Sequence, residues 1–112
     1  MYDQVIIINS ESLGYGDANV GSNLLGVFLR KILASLDKPD VIVFYNSGVR
    51  LLTPGSKALE ILAALESYGV ELLACGTCVY KVCGQKSLRV GRISNMDEIA
   101  DIILNANRVI TL

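Results

Sequence analysis

The chain has 112 residues, which suits one domain with a buried core, and 52% of its residues are hydrophobic. Ten basic and eleven acidic residues give a net charge of −1 without a block of like charge, which argues against a nucleic acid as partner because phosphate binding needs a basic surface. No apolar run approaches the ~18 residues that a membrane-spanning helix needs. The high apolar content instead predicts a sheet buried on both faces and a homo-oligomer.

Apolar patterns predict strands and helices that alternate along the first two thirds of the chain. Runs typical of strands buried on both faces lie at residues 5–8, 41–44 and 70–74. The first helix ends before Pro39. Thr53 and Pro54 predict the N-cap and first turn of a second helix, and Gly69 predicts its C-terminal end. The buried stripe of the first helix is predicted as Leu25, Phe28, Leu29, Ile32, Leu33 and Leu36, and that of the second as Ala58, Ile61, Leu62 and Leu65.

The last third of the chain predicts one more helix between two strands. The weak pattern of residues 79–86 predicts a short helix or an irregular loop, and that of residues 88–93 predicts a short fourth strand. Asn95, with Glu98 three residues later, predicts the capped start of the last helix, and a fifth strand follows at 108–112. We therefore expect a single α/β domain over 1–112, a three-layer α/β sandwich around an open, mostly parallel sheet of about five strands.

The loops that follow the first three predicted strands are the candidate site, because sites in open parallel sheets form outside the carboxyl ends of the strands. The candidate binding residues in these loops are Asn9, Ser10, Gly14 and Gly16, then Asn46, Ser47 and Gly48, then Gly76 and Thr77. The asparagines and serines alternatively satisfy backbone groups where the strands end. The glycine pair before the first helix is only a faint indication of phosphate binding.

Cys75 and Cys78 are the most concentrated reactive groups in the third loop. The chain contains no histidine, which removes the usual activating partner of a cysteine nucleophile and the commonest metal ligand. A helix N-terminus, backbone N–H groups or cations can stabilise a thiolate instead. The cations that follow are Lys81, Lys86, Arg89 and Arg92. The alternative is that both cysteines are small buried hydrophobic residues.

Several kinds of thiol site are compatible with this pair. Dithiol redox chemistry usually places its motif early in a βαβ unit, whereas this motif comes late. Zinc or an iron–sulfur cluster needs four ligands, and Cys83 brings the cysteines only to three, so such a site requires a second subunit. Transfer of a persulfide sulfur needs neither a metal nor another cofactor. A non-catalytic oligomeric module that binds a small ligand or a partner is the remaining interpretation.

Four motifs in order along the chain carry a resemblance to a known family. They are Asn9-Ser10-Glu11-Ser12-Leu13-Gly14-Tyr15-Gly16-Asp17, Asn46-Ser47-Gly48-Val49, the run from Gly69 to Cys78, and Val90-Gly91 followed by Ser94-Asn95-Met96. With these motifs the chain resembles the DsrE-like sulfur-relay family. It is most similar to the DsrE-like domain of YedF-type proteins, which are described as sulfurtransferase-like and are associated with selenium metabolism.

The resemblance implies a flavodoxin-like α/β sandwich that assembles as a dimer, trimer or hexamer, with Cys75 as the sulfur-accepting residue and Cys78 as a resolving or supporting thiol. YedF-type proteins usually carry a preceding domain similar to the TusA sulfur carriers, so we expect a TusA-like protein or domain as partner. Relay members often have a basic pair after the cysteine helix, where this chain has Tyr80-Lys81-Val82-Cys83. The closely spaced cysteines and the absence of a signal peptide predict the cytoplasm.

Overall fold

The computed structural model describes residues 2–84 and 87–112, which alternate between strands and helices. The strands are Gln4–Ile8 (β1), Val41–Phe44 (β2), Glu71–Cys75 (β3), Arg92–Ser94 (β4) and Arg108–Thr111 (β5). The α-helices are Ala18–Ala34 (α1), Leu59–Ser67 (α2), Gly76–Cys83 (α3) and Met96–Asn105 (α4). A 3-10 helix, Asn46–Leu52, follows β2.

These strands form one parallel sheet in the order β4-β3-β2-β1-β5. The crossovers from β1 to β4 move in one direction, and the last crossover, through α4, returns across the sheet to β5. Because parallel crossovers are right-handed, this reversal places α4 on the opposite face from α1, α2 and α3. The predicted three-layer α/β fold is therefore confirmed, with the carboxyl ends of the parallel strands at one edge.

Alternate residues of each strand contribute to different core layers. Ile6 and Phe44 pack beneath α1, α2 and α3, whereas Val43 and Leu73 pack beneath α4. Both layers exclude water, so the strands are continuous apolar runs instead of alternating apolar and polar residues. Each large side chain that is fully buried contributes about 1.5–3 kcal/mol. Phe44 is among these fully buried side chains.

The predicted start of the second helix is wrong. α2 begins at Leu59, and the 3-10 helix precedes it with Val49 and Leu52 fully buried. Thr53 ends that 3-10 helix, and its hydroxyl donates a hydrogen bond to the Arg50 carbonyl at 2.8 Å. Burial of two large apolar side chains outweighs the local preference of a Thr-Pro pair for a helix start.

The fourth strand starts later than the prediction of residues 88–93. Leu88 packs against the core beneath α1, α2 and α3. Gly91 then adopts a φ of +78°, a left-handed conformation that interrupts an extended strand. The Gly91 N–H donates to a carboxylate oxygen of Glu66 at 2.8 Å, so β4 begins only at Arg92.

The other helix ends agree with their sequence signals, with one exception. The Asn95 side-chain oxygen accepts a hydrogen bond from the Glu98 N–H at 2.8 Å, so the predicted cap of α4 is confirmed. Gly69 follows α2 with a φ of +95°, as predicted for a helix end. Leu36, predicted in the buried stripe of α1, lies beyond the end of that helix and is fully exposed. Among residues 2–84 and 87–112, the helices are too short or too polar to cross a membrane.

Candidate functional site

Cys75 stands at the junction of β3 and α3, where it is both the last residue of the strand and the N-cap of the helix. Its side chain is 5% exposed and packs with Leu73 in the core layer beneath α4. No side chain in the described part of the chain caps this helix start. The first N–H groups of a helix have no partner within the helix and carry partial positive charge. Cys75 is therefore placed at the positively polarised end of α3.

Gly76 allows β4 to approach this junction closely. A β-carbon on Gly76 would lie 3.0 Å from the Ser94 carbonyl oxygen and 3.1 Å from a methyl carbon of Ile93. Cys75 is paired with Ser94 across the two strands. The glycine thus serves close packing at the junction, and its φ is not positive.

Cys78 lies in the first turn of α3 and links it to the loop after β2. Its Sγ accepts a hydrogen bond from the backbone N–H of Asn46 at 3.0 Å. Asn46 has a φ of +51°, a left-handed conformation that asparagine tolerates better than most residues. The Cys78 side chain is half-buried, and the thiols of Cys78 and Cys75 are both free.

Burial raises the pKa of the Cys78 thiol, because the thiolate loses hydration. The Asn46 N–H opposes this change, since it donates to the sulfur, whereas the neighbouring Cys75 sulfur raises the pKa further. At neutral pH the Cys78 thiol therefore keeps its proton. A protonated Cys78 can donate its hydrogen to the sulfur of Cys75.

Both cysteines open into a cavity of about 370 Å³ at the carboxyl edge of the sheet. The lining side chains are Tyr45, Asn46, Cys75, Thr77, Cys78, Lys81, Val82 and Met96. Val82 and Met96 make part of its wall apolar, and Lys81 adds a positive charge. We refer to this cavity as the thiol pocket. It is large enough for a sulfur atom bound to Cys75 and for the tail of a donor molecule.

The structure gathers only part of the predicted binding set around the thiol pocket. The lining residues that were predicted are Cys75, Cys78, Asn46 and Thr77, whereas those that do not line it are Asn9, Ser10, Gly14, Gly16, Ser47, Gly48 and Gly76. The Ser10 hydroxyl oxygen accepts a hydrogen bond from the Ser12 N–H at 3.2 Å. Gly14 and Gly16 lie in an exposed turn with positive φ. The loop after β1 thus uses these polar groups and glycines for its own conformation.

The basic residues after the cysteine motif also have different roles. Lys81 lines the thiol pocket, but Arg92 forms ion pairs with Glu71 at 2.9 Å and Glu98 at 3.0 Å. The Arg92 guanidinium and a hydrogen bond from the Ser94 hydroxyl lower the pKa of the Glu98 carboxyl. The Arg92 guanidinium is therefore committed to joining β3, β4 and α4. Lys86, also predicted as a nearby cation, lies outside the described residues.

Sequence reasoning missed Tyr45, Val82 and Met96 as pocket residues. A signal for Met96 was present, because it follows β4 and every parallel strand ends at the same edge of the sheet. The end of β4 therefore belongs to the same edge as the ends of β1, β2 and β3. Within residues 2–84 and 87–112, no three Cys, Asp or Glu side chains are placed to hold a metal ion.

Comparison with known proteins identifies the same fold and a family. The family model described as DsrE/DsrF-like family matches residues 13–112. The crystal structure of YchN from E. coli superposes with a TM-score of 0.69 at 25% sequence identity, covering 100% of both chains. No curated protein matches the chain.

Two further solved structures show the fold alone, since they are less similar in sequence. The protein of unknown function MTH1491 from Methanobacterium thermoautotrophicum has a TM-score of 0.66 at 22% identity, covering 96% of this chain and 99% of its own. The conserved protein of unknown function BT1422 from Bacteroides thetaiotaomicron has a TM-score of 0.65 at 13% identity, covering 98% and 95% respectively.

Proposed function

The chain belongs to the DsrE/DsrF-like family, which supports a sulfur-relay role in general, and on that premise we propose that it carries sulfur as a persulfide on Cys75. One observation favours this proposal most. Cys75 at the N-cap of α3 and Cys78 in its first turn both open into the same pocket, and the neighbouring Cys75 sulfur is one cause of the raised pKa of Cys78. A nucleophilic thiol, a hydrogen-bond donor and space for a donor molecule are therefore together.

The proposed reaction is a thiol exchange without net oxidation. The Cys75 thiolate attacks the outer sulfur of a donor persulfide, R–S–SH. A sulfur–sulfur bond forms to Cys75 while the bond between the two donor sulfurs breaks, and the electron pair leaves with the donor as R–S⁻. The products are Cys75–S–SH and the donor thiolate. Passing the outer sulfur to an acceptor thiolate is the same exchange in reverse.

The different environments of the two cysteines support Cys75 as the carrier. The raised pKa of Cys78 keeps that thiol protonated at neutral pH, which makes it a poor nucleophile and leaves its S–H available as a hydrogen-bond donor. Its S–H supports negative charge on Cys75 beside the free N–H groups of α3. Burial of Cys75 limits access to donors that fit the pocket.

The finer parts of the proposal concern cargo, partners and location. The proposal extends to selenium as cargo, because selenium undergoes the same exchange as sulfur, and to a TusA-like carrier as the partner. Exposed apolar side chains at helical spacing on α1 support a homo-oligomer. They are Val20, Leu24 and Val27. Three free cysteines suit the reducing cytoplasm.

Intact-mass spectrometry after incubation with a small persulfide donor tests the proposal. We expect a gain of about 32 Da, one sulfur atom, in the wild type and in Cys83→Ser, and none in Cys75→Ser. Cys78→Ala should load roughly tenfold more slowly, since a hydrogen bond to a charged group contributes about 1.5–3 kcal/mol. An adduct that persists in Cys75→Ser and maps to Cys78 would contradict the assignment. A folded wild type without any adduct would favour the ligand-binding module.

Dithiol redox chemistry is the second candidate, because the Cys-x-x-Cys motif opens a helix directly after a strand. In that case Cys75 and Cys78 form a disulfide when a small disulfide oxidant is reduced to its thiols. The same mass experiment separates the two functions. A loss of two hydrogens with this oxidant, and no sulfur gain with the persulfide donor, would favour the redox function.

A further inference from the structure

A second cavity lies between α1 and α2 and shares no lining residue with the thiol pocket. Its volume is about 550 Å³, within the range of small-molecule sites. The buried side chains of Leu25 and Leu29 contribute an apolar part of its lining, and Ser22, Asn23 and Ser56 contribute polar groups. We refer to it as the α1–α2 cavity.

The α1–α2 cavity is lined by an excess of positive side chains. Arg30 comes from α1, Arg50 from the 3-10 helix and Lys57 from the segment before α2, whereas Glu11 supplies the one lining carboxylate among the described residues. Nη1 of Arg50 lies 3.0 Å from a carboxylate oxygen of Glu11, so these two charges are paired. In the described part of the chain, Arg30 and Lys57 form no salt bridge. Two positive charges on different elements are therefore left uncompensated.

Gly26 provides space for the Arg30 guanidinium on the surface of α1. A β-carbon added to Gly26 would have the two terminal nitrogens of Arg30 as its nearest neighbours, at 3.7 Å and 4.0 Å. The guanidinium thus lies along the helix over Gly26, which itself lines the cavity. This position presents the paired N–H donors of arginine at the cavity.

We propose that the α1–α2 cavity binds a small phosphate-bearing molecule. Uncompensated cations that line one cavity repel each other, and a dianion between them converts that repulsion into attraction. The arginine fork matches phosphate oxygens, and lysine is a common phosphate ligand. The Ser56 hydroxyl oxygen already accepts a hydrogen bond from the Ala58 N–H at 3.1 Å, so its own hydrogen is available for an anion. The apolar lining accommodates the rest of the molecule.

Titration of the full chain with pyrophosphate, followed by backbone amide NMR shifts, tests this site. We expect saturable shifts at Gly26 and Ser56. Arg30→Gln and Lys57→Gln should each weaken binding about tenfold, because each removes a charged hydrogen-bond donor. Lys31→Gln is the matched control, since Lys31 neighbours Arg30 in sequence but does not line the cavity, and its affinity should equal that of the wild type.

A variant that binds pyrophosphate more tightly distinguishes a specific site in the α1–α2 cavity from general electrostatic attraction to the protein. Glu11→Gln should tighten pyrophosphate binding severalfold because it releases Arg50 from its ion pair. Asp101→Asn makes the same charge change on α4, across the sheet, and should leave the affinity unchanged. Cys75→Ser should bind pyrophosphate with the affinity of the wild type. The test of this site is therefore independent of the test of the persulfide proposal.

Three outcomes would overturn the assignment. The first is the absence of saturable shifts at Gly26 and Ser56 up to millimolar pyrophosphate. The second is an equal effect of the control and test variants, which would indicate attraction to net charge only. The third is tighter binding of citrate than of pyrophosphate, which would assign the site to carboxylates.

Discussion

The backbone N–H of Asn46 donates a hydrogen bond to the Sγ of Cys78 at 3.0 Å, which joins the end of β2 to the first turn of α3. The two residues are 32 positions apart in the sequence. Asn46 makes this contact with a left-handed backbone, at a φ of +51°. It holds Cys78 beside Cys75 and partly offsets the loss of hydration around the Cys78 sulfur.

Substitutions at Asn46 should separate the role of its backbone from that of its side chain. Asn46→Ala should lower the free energy of unfolding by about 1 kcal/mol, because alanine disfavours a positive φ. It should also slow alkylation of Cys78, since a weakened N–H contact stabilises the thiolate less. Asn46→Gly adopts the same φ without strain and should keep the wild-type alkylation rate. Urea denaturation and peptide mass mapping measure both effects. Equal unfolding free energies and equal Cys78 alkylation rates in the two variants would contradict this explanation.

The raised pKa of Cys78 predicts a loss of stability at alkaline pH. The folded chain retains a proton that the unfolded chain releases near the ordinary thiol pKa of 9.0. The stabilisation that the Cys78 thiol contributes is therefore fully present below about pH 9, and it is lost as the pH rises through the pKa of Cys78 in the folded chain. Under reducing conditions, the unfolding free energy of the wild type should fall more steeply above pH 9 than that of Cys78→Ala. The pKa of Tyr2 is also raised, by burial and by Glu71, but both chains share that change.

Parallel pH profiles of the wild type and Cys78→Ala would show that Cys78 titrates equally in the folded and unfolded chains. Urea denaturation at several pH values between about 7 and 11 is sufficient for the comparison. The Cys78→Ala variant also loses a half-buried side chain, which changes its unfolding free energy by the same amount at every pH. The difference in slope, and not in height, is therefore the quantity that tests the prediction.

Gly48 should be among the least replaceable residues of the fold. A β-carbon there would overlap the Ile8 carbonyl oxygen and lie 3.2 Å from the Ser10 nitrogen, so the 3-10 helix would have to move away from β1. Gly48→Ala should cost about 2–3 kcal/mol of unfolding free energy. Gly26→Ala is the control, because its β-carbon would make only ordinary contacts within α1, and it should stabilise the chain by about 0.5–1 kcal/mol. Similar thermal unfolding of the two variants would count against this contrast.

The strands other than β4, most helix faces and the strand-end position of Cys75 were predictable from the sequence alone. Residues 41–44 are apolar without interruption because both faces of β2 are covered. Burial on both faces can therefore be read from these four residues alone. Asn95 and Glu98 likewise predict a helix start, because the capping hydrogen bond joins two residues within one helical turn. The strand-end rule also brought Asn46 and Cys78 to one edge of the sheet.

Only the tertiary structure decided which strand-end residues line the same pocket and which of the predicted helix starts are used. Thr53 has the sequence features of an N-cap, but burial of Val49 and Leu52 in the preceding 3-10 helix outweighs them. Met96 lines the thiol pocket because β4 lies beside β3, whereas Ser10 is turned into its own loop. Periodicity reports the burial of each element, but strand order and side-chain packing set the contacts between elements. For that reason the sequence by itself determined the strand-end position of Cys75, and the fold determined which side chains surround that cysteine.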